Sequence, residues 1–155
     1  MLDIFERLGT HCHAHVNATV VLSHEQRERG RLRLQSVEGL EVRLFLERGR
    51  PLEVGEYLKS QCGKIVRIEG AIEEVMMAQC TDWSTFARAC YHLGNRHVKV
   101  QVGELWLRIK PDHVLGDMLA QLGLTVHAQL AVFVPESGAY TKAAAQHHHD
   151  HHHDH

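Results

Sequence analysis

The sequence predicts an α+β protein with two domains: a small all-β domain over residues 1–70 and a ferredoxin-like βαββαβ domain over residues 71–134. Up to Gly70, apolar and polar residues alternate in short runs, which is typical of strands that bury one face. After Gly70, two stretches with apolar residues at helical spacing interrupt the alternation. Residues 135–155 lack periodicity and end in a run of histidines, so we expect a flexible linker and a disordered tail there.

The first domain contains four alternating segments, separated by glycines and by Pro51. These segments are VNATVVLS, RLRLQS, LEVRLFLE and KIVRIEG. They predict four or five strands joined by tight turns. The stretch HEQRERGRLRL follows the first segment and alternates basic with acidic residues through its turn. We interpret it as a solvated surface or, alternatively, as a docking face.

The second domain begins with a predicted strand, AIEEVMMAQC, and a predicted helix, DWSTFARACYHLGN. Either Asp82 or Ser84 can cap the start of this helix. Gly94 and Asn95 are the residue types that best tolerate the left-handed conformation that ends a helix. The apolar residues of the helix recur at helical spacing: Phe86, Ala89, Cys90 and Leu93.

The rest of the second domain completes the βαββαβ order. VKVQV and ELWLRI alternate on either side of Gly103 and Glu104, which is typical of a β-hairpin. Pro111 and Asp112 favour the start of a second helix, and Gly123 favours its end. LTVHAQLAVFVP is then the final strand.

Composition excludes several classes of protein. The 155 residues carry a net charge of −2, so no basic surface for nucleic acid is expected. No apolar run is long enough to span a membrane and no leader sequence is evident, which favours a cytoplasmic protein. The four cysteines are far apart and predict no zinc knuckle. Histidine is the unusual component, with 15 residues.

The last nine residues, HHHDHHHDH, contain seven of these histidines. Asp150 and Asp154 interrupt the run, which is unlike a purification tag, although a tag is the alternative interpretation. Imidazole suits nickel, zinc and copper, so a mobile tail of this kind would bind several divalent ions weakly. The candidate ligands are His147, His148, His149, His151, His152, His153 and His155.

A second candidate ligand, His97, lies just after the predicted helix end at Gly94 and Asn95, at the start of a predicted strand. One imidazole holds a metal poorly. A two-fold axis at this surface would bring His97 together with its copy in a homodimer. The alternative is an ordinary loop histidine.

Other histidines are candidates for peripheral sites. His92 in the last turn of the first helix can instead stabilise the helix end, and His113 in the first turn of the second helix can be solvated surface. In THCHAHV, an extended backbone would place His11, His13 and His15 on one side, so this segment is either a secondary metal contact or surface decoration.

With these residues in view, the chain resembles the UreE family of urease accessory proteins, nickel chaperones that help assemble the urease active site. The resemblance runs from about Val16 to Pro135. It is most specific in YHLGNRHVKVQV and PDHVLGDMLAQLGL, and it includes RLRL and LFLERG in the first domain. A histidine-rich tail is frequent in this family, which favours a native tail here.

The resemblance implies a first domain for protein contacts and a second domain for dimerisation and metal binding. His97, which ends the G-N-R-H motif, is implied as the principal nickel ligand, paired across a homodimer. The tail would raise capacity or complete the coordination. Implied partners are the urease accessory GTPase and the urease apoprotein assembly complex. Some members carry two histidines separated by one residue before the second helix, but Pro111 takes the first position here and leaves His113 alone.

The resulting hypothesis is a cytoplasmic protein that delivers Ni(II) to urease, with Zn(II) or Cu(II) as competitors and without nucleic acid or a membrane as partner. The main alternative is a divalent-metal buffer or storage protein with the same ligands but no delivery partner. An interaction module with incidental histidines and a metallohydrolase are further alternatives. The sequence has no Gly-rich phosphate loop, no nucleophile elbow and no H-E-x-x-H motif, so we do not expect an enzyme.

Overall fold

The computed structural model describes residues 1–138, which divide into two compact units. The first unit comprises Met1–Glu74 and Leu130–Val134, and the second comprises Val75–Gln129 together with residues 135–138. Among the described residues, no helix is long and apolar enough to cross a bilayer.

A six-stranded sheet forms the first unit, with the order β2-β6-β5-β1-β4-β3. The sheet curls like a barrel: just after β3, the backbone N–H of Val37 donates to the carbonyl of Thr19 in β2 at 2.8 Å. The strands are β1 (Leu2–Gly9), β2 (Ala18–Leu22), β3 (Arg31–Gln35), β4 (Glu41–Phe45), β5 (Tyr57–Ser60) and β6 (Ile65–Gly70).

The core of this unit lies on the inner face of the sheet, where every second residue of a strand is apolar and buried. Fully buried examples are Ile4, Val20, Leu44, Leu58 and Ile68. The segments predicted as strands are confirmed, because each contains one of β2, β3, β4 and β6.

The predicted number of strands is wrong, because β1 and β5 were missed. β1 lies between β4 and β5 in the middle of the sheet. Its register against β5 shifts between Ile4 and Glu6 and again between Arg7 and Gly9. Such irregularities break the alternation of period two on which the prediction depends. β5 has only 4 residues, too few to show a period.

The interpretation of HEQRERGRLRL as solvated surface is wrong for His24 and Arg27. The stretch contains the short helix α1 (His24–Arg27), whose N-cap residue Ser23 forms a capping box with Gln26. His24 and Arg27 are buried. The guanidinium of Arg27 donates to the carbonyls of Leu22 and Phe133, and burial lowers its pKa from the ordinary value. Hydrogen bonds to main-chain carbonyls make the burial of this cation tolerable.

The second unit confirms the predicted order β-α-β-β-α-β. Its four-stranded sheet has the order β10-β7-β9-β8, and β9 pairs antiparallel with both β7 and β8. The elements are β7 (Ile72–Gln79), α2 (Trp83–Asn95), β8 (Gln101–Val102), β9 (Trp106–Ile109), α3 (His113–Leu122) and β10 (Thr125–Val132). The first three residues of β7 and the last three of β10 belong to the first unit.

Both long helices pack on one face of this sheet. Phe86 and Leu93 of α2 and Leu119 of α3 belong to one buried cluster with Ala78 of β7 and Leu107 of β9. β8 is shorter than VKVQV predicted, because Val98 and Val100 pack against this cluster without forming strand pairs. The predicted end of α3 is confirmed, since Gly123 has a φ of 108°.

Candidate metal centre

Helix α2 has a capped N-terminal end, and the candidate site lies at its C-terminal end. The side chain of Asp82 accepts the backbone N–H of Thr85 at 2.9 Å, so Asp82 is the N-cap. This hydrogen bond favours the charged carboxylate and holds the pKa of Asp82 below its ordinary value. Ser84, the other predicted cap, lies inside the helix and accepts a hydrogen bond from Arg88.

The C-terminal end of α2 is a Schellman motif that includes His97. The backbone N–H of His97 donates to the carbonyl of Gly94 at 3.0 Å, and that of Val98 donates to the carbonyl of Leu93 at 3.2 Å. These two bonds satisfy carbonyls that have no partner inside the helix. Leu93 and Val98 both pack in the core of the second unit, so apolar contacts fix the position of this helix end.

His97 occupies the position of this motif that is usually a glycine, and its φ is 57°. The predicted last residue of the helix, Asn95, is confirmed, but the prediction that Gly94 or Asn95 takes the left-handed conformation is wrong, because both belong to α2. Arg96 is the C-cap, and His97 follows it without belonging to a strand. A left-handed conformation at a residue with a Cβ costs roughly 1–2 kcal/mol. Strain of this kind is concentrated at functional sites in proteins.

The imidazole of His97 is exposed, while its backbone is fixed by the two hydrogen bonds of the helix end. A neutral imidazole nitrogen is a good ligand for nickel, zinc or copper. One ring supplies one ligand, however, and within residues 1–138 no group of three or more histidine, cysteine or acidic side chains is placed to hold a metal ion.

His92 lies one turn before the end of α2 and is partly buried. Its ring meets the ring of Tyr91 edge-on, with centroids 5.3 Å apart. The His92 carbonyl accepts a hydrogen bond of 3.4 Å from Arg96, so the backbone here belongs to the helix end. Within residues 1–138, neither His92 nor His97 belongs to a group of three or more side chains that could hold a metal ion.

His113 is the first residue of α3, and the predicted cap at Asp112 is confirmed, since its side chain accepts the N–H of Leu115 at 2.9 Å. His113 is exposed, and its Nε2 lies 3.5 Å from Oδ2 of Asp117 one turn later. A histidine and a carboxylate at this spacing can offer two ligands to one ion.

Within residues 1–138, the other histidines singled out in the sequence do not form a group of three or more metal ligands. His11, His13 and His15 are exposed and lie between β1 and β2 in a segment without strand structure. The tail histidines lie outside the described residues: His147, His148, His149, His151, His152, His153 and His155.

The exposed face of α2 carries an apolar stripe that was not predicted from the sequence. Trp83 is 59% exposed and Tyr91 is 68% exposed, and Ala87 lies between them. Their spacing of four residues places all three on one side of the helix that leads to His97. This spacing is visible in the sequence, but the helix was predicted only from the residues of its buried face.

Comparisons with known proteins cover nearly the whole chain. The family model described as "UreE urease accessory protein, N-terminal domain" matches residues 4–71. The model described as "UreE urease accessory protein, C-terminal domain" matches residues 73–155. A Marinomonas sp. protein named "Urease accessory protein UreE" is 65% identical over 147 residues, which is 95% of this chain and 100% of the relative. Proteins of the same name from Alteromonas mediterranea and Psychromonas ingrahamii are each 44% identical, over 95% and 96% of this chain and 95% and 97% of their own lengths.

Proposed function

Because the chain belongs to the UreE family of urease accessory proteins, we propose that it is a nickel metallochaperone that binds Ni(II) and delivers it for assembly of the urease active site. Nickel is the cargo, and Zn(II) or Cu(II) can compete for the same imidazoles. The protein would act in the cytoplasm. It makes and breaks no bond in a substrate.

The observation that carries this proposal is the placement of His97. Its ring is exposed, and its backbone is held in the left-handed position of a helix end that packs on the core. Glycine would occupy this position without strain, so a histidine there is better explained by the chemistry of its side chain than by folding.

A homodimer would complete the site. The stripe of Trp83, Ala87 and Tyr91 is an exposed apolar surface that a second copy can cover, and it runs along the helix that ends at His97. In a two-fold dimer the same patch meets its copy, so an axis near the end of α2 brings two His97 rings together. Two imidazoles then hold one nickel ion, with solvent or further side chains as the other ligands.

The tail would collect ions and pass them to this site. The match to the C-terminal family model extends to residue 155, which supports the interpretation of the histidine-rich segment as native. Its many interchangeable ligands favour weak binding and fast exchange, and tethering gives it an effective concentration of order mM near the domain. His92 and the pair of His113 with Asp117 are proposed as peripheral contacts for the ion.

Delivery requires docking on the urease apoprotein assembly complex, with the urease accessory GTPase as the direct partner. We assign the protein contacts to the N-terminal domain, residues 1–70, and dimerisation and metal binding to residues 71–134. The linker and the tail, residues 135–155, serve nickel capture.

Urease activation under limiting nickel tests this proposal. Cells that express urease but lack their own member of this family receive the parent chain, His97→Ala or His127→Ala. His127 is an exposed histidine on β10, so its variant loses the same chemical group elsewhere. We expect His97→Ala to lose most of the urease activation and His127→Ala to retain it.

Two results would count against the proposal. Equal urease activation by His97→Ala and the parent would show that His97 is not the central nickel ligand. A parent chain that raises the nickel tolerance of the cells without raising urease activity would favour the alternative, a metal buffer without a delivery partner.

A further inference from the structure

The outer face of the first sheet carries phenylalanine and arginine side chains on three neighbouring strands. Because residues alternate between the two faces of a strand, Arg43 and Phe45, which alternate in β4 with the buried Val42 and Leu44, point outward. In the register of β3 and β4, Arg31 lies opposite Phe45 and Arg33 lies opposite Arg43. We call this surface the arginine–phenylalanine face and define it by Phe5, Arg31, Arg33, Arg43 and Phe45.

Two aromatic rings form the apolar centre of this face. Phe5 of β1 and Phe45 of β4 are stacked, with centroids 5.1 Å apart and an angle of 13° between the ring planes. Phe5 is 56% exposed. Leaving such a ring in water forgoes the free energy that its burial would provide, so a stacked and exposed pair favours an interaction surface.

Guanidinium groups flank the rings. The Cζ atoms of Arg31 and Arg43 lie 5.8 and 5.7 Å from the centroid of the Phe45 ring, within the range of cation–π contacts. These contacts hold the two cations beside the apolar centre instead of leaving them free in solvent.

The ion pairs of this face leave one positive charge uncompensated. Arg43 forms two hydrogen bonds to the carboxylate of Asp3, at 2.8 and 2.9 Å, and Arg33 pairs with Glu41 at 2.5 Å. Within residues 1–138, no carboxylate forms an ion pair with Arg31. A partner that complements this face must therefore bring a negative charge next to an apolar side chain.

We propose that the arginine–phenylalanine face docks an acidic segment of another protein. An aromatic or large aliphatic side chain of that segment covers the Phe5–Phe45 stack, and a neighbouring carboxylate pairs with Arg31. The inference rests on the proposed function only for the identity of the partner, a protein of the urease assembly machinery. The docking itself needs no nickel.

A labelled peptide tests the docking directly. Fluorescence anisotropy of a synthetic peptide rich in glutamate and phenylalanine is followed as the full chain is added in the presence of a chelator. Binding is expected for this peptide and not for the same peptide with lysine in place of glutamate. Raising the salt concentration should weaken the binding, because the charges are at the surface.

Matched variants locate the site. Arg31→Glu and Phe5→Ser change exposed side chains and should each weaken binding by about tenfold, the loss of one good contact. Arg67→Glu is the control: it makes the same change of charge at an exposed residue of β6 in the same sheet, and it should bind as the parent does.

Several results would overturn the inference: no binding of the acidic peptide, equal binding of the lysine peptide, or equal losses in Arg31→Glu and Arg67→Glu. It would also fail if Arg31→Glu and Phe5→Ser abolished self-association of the chain while the peptide did not bind, since the occupant would then be a second copy. Because nickel is absent throughout, none of these results depends on whether the chain delivers nickel.

Discussion

The backbone N–H of His97 lies 3.0 Å from the carbonyl oxygen of Gly94, and this bond is part of the helix end that holds His97 in the left-handed conformation. Two substitutions separate the backbone strain at His97 from the loss of its imidazole. His97→Ala removes the imidazole and keeps the strained Cβ, whereas His97→Gly removes both. We expect the glycine variant to be the more stable of the two by about 1 kcal/mol. Urea denaturation measures this difference. A glycine variant that is less stable than the alanine variant would contradict the claim that a Cβ is strained at this position.

A partly buried ion pair stabilises the first unit. Arg7 forms hydrogen bonds of 2.7 Å to both carboxylate oxygens of Glu56, which is buried, and it also donates to the carbonyl of Pro51. Arg7→Ala leaves the Glu56 carboxylate buried without its partner and should lower the free energy of unfolding by about 3 kcal/mol. Urea denaturation followed by circular dichroism measures this loss.

The control for this substitution is an exposed ion pair in the same sheet. Arg33→Ala breaks a pair with Glu41 in which the Arg33 side chain is 71% exposed. It should change the stability by no more than about 1 kcal/mol. Equal losses in Arg7→Ala and Arg33→Ala would show that burial of Glu56 does not decide the outcome.

The N-cap of α2 predicts a pH dependence of stability in the second unit. The pKa of Asp82 is lowered in the folded state by the N–H of Thr85, so the charged cap stabilises the fold above the unfolded value of 3.8, and this contribution is lost as pH falls through the folded pKa. Asp82→Asn keeps a neutral cap. The stability gap between parent and variant should therefore close as the solution is acidified from neutral pH.

Tryptophan fluorescence can follow this unit, since Trp83 and Trp106 both lie in it. A gap that stays constant from pH 7 to below the unfolded value of 3.8 would mean that the charge of Asp82 contributes nothing.

The apolar stripe of α2 predicts how dimerisation responds to substitution. Tyr91→Ser should raise the dissociation constant of the proposed homodimer by about thirtyfold, the effect of losing an aromatic contact at the centre of an interface. Val114→Ser is the control, because Val114 of α3 is 71% exposed and lies outside the stripe. Sedimentation velocity of the two variants distinguishes them, and a dimer that Tyr91→Ser leaves intact would place the interface elsewhere.

The fold of the second unit could be predicted in detail because its signals are local. Asp82, Asp112 and Gly123 mark helix ends through their own side chains or conformations, and each does so in the structure. β1 could not be predicted in the same way. Its alternation is broken by the register shifts around Glu6, and its place in the sheet depends on pairing with strands that are distant in the sequence.

The sequence indicated which residue, His97, is the candidate ligand, but not that its backbone is left-handed. The G-N-R-H motif singled out His97, yet the left-handed backbone depends on Leu93 and Val98 reaching the same core, which no local pattern shows. The arginine–phenylalanine face was missed for a similar reason: Phe5 and Phe45 meet only because β1 and β4 are neighbours in the sheet.

The nickel stoichiometry of a chain truncated after Gln146 tests the central claim most directly, since the truncation removes the tail histidines and leaves His97. Equilibrium dialysis should find one tightly bound nickel ion for two chains, and His97→Ala in the same truncated chain should lose it. One tight ion for each chain, or the same binding with and without the His97 imidazole, would contradict a shared site built on this residue.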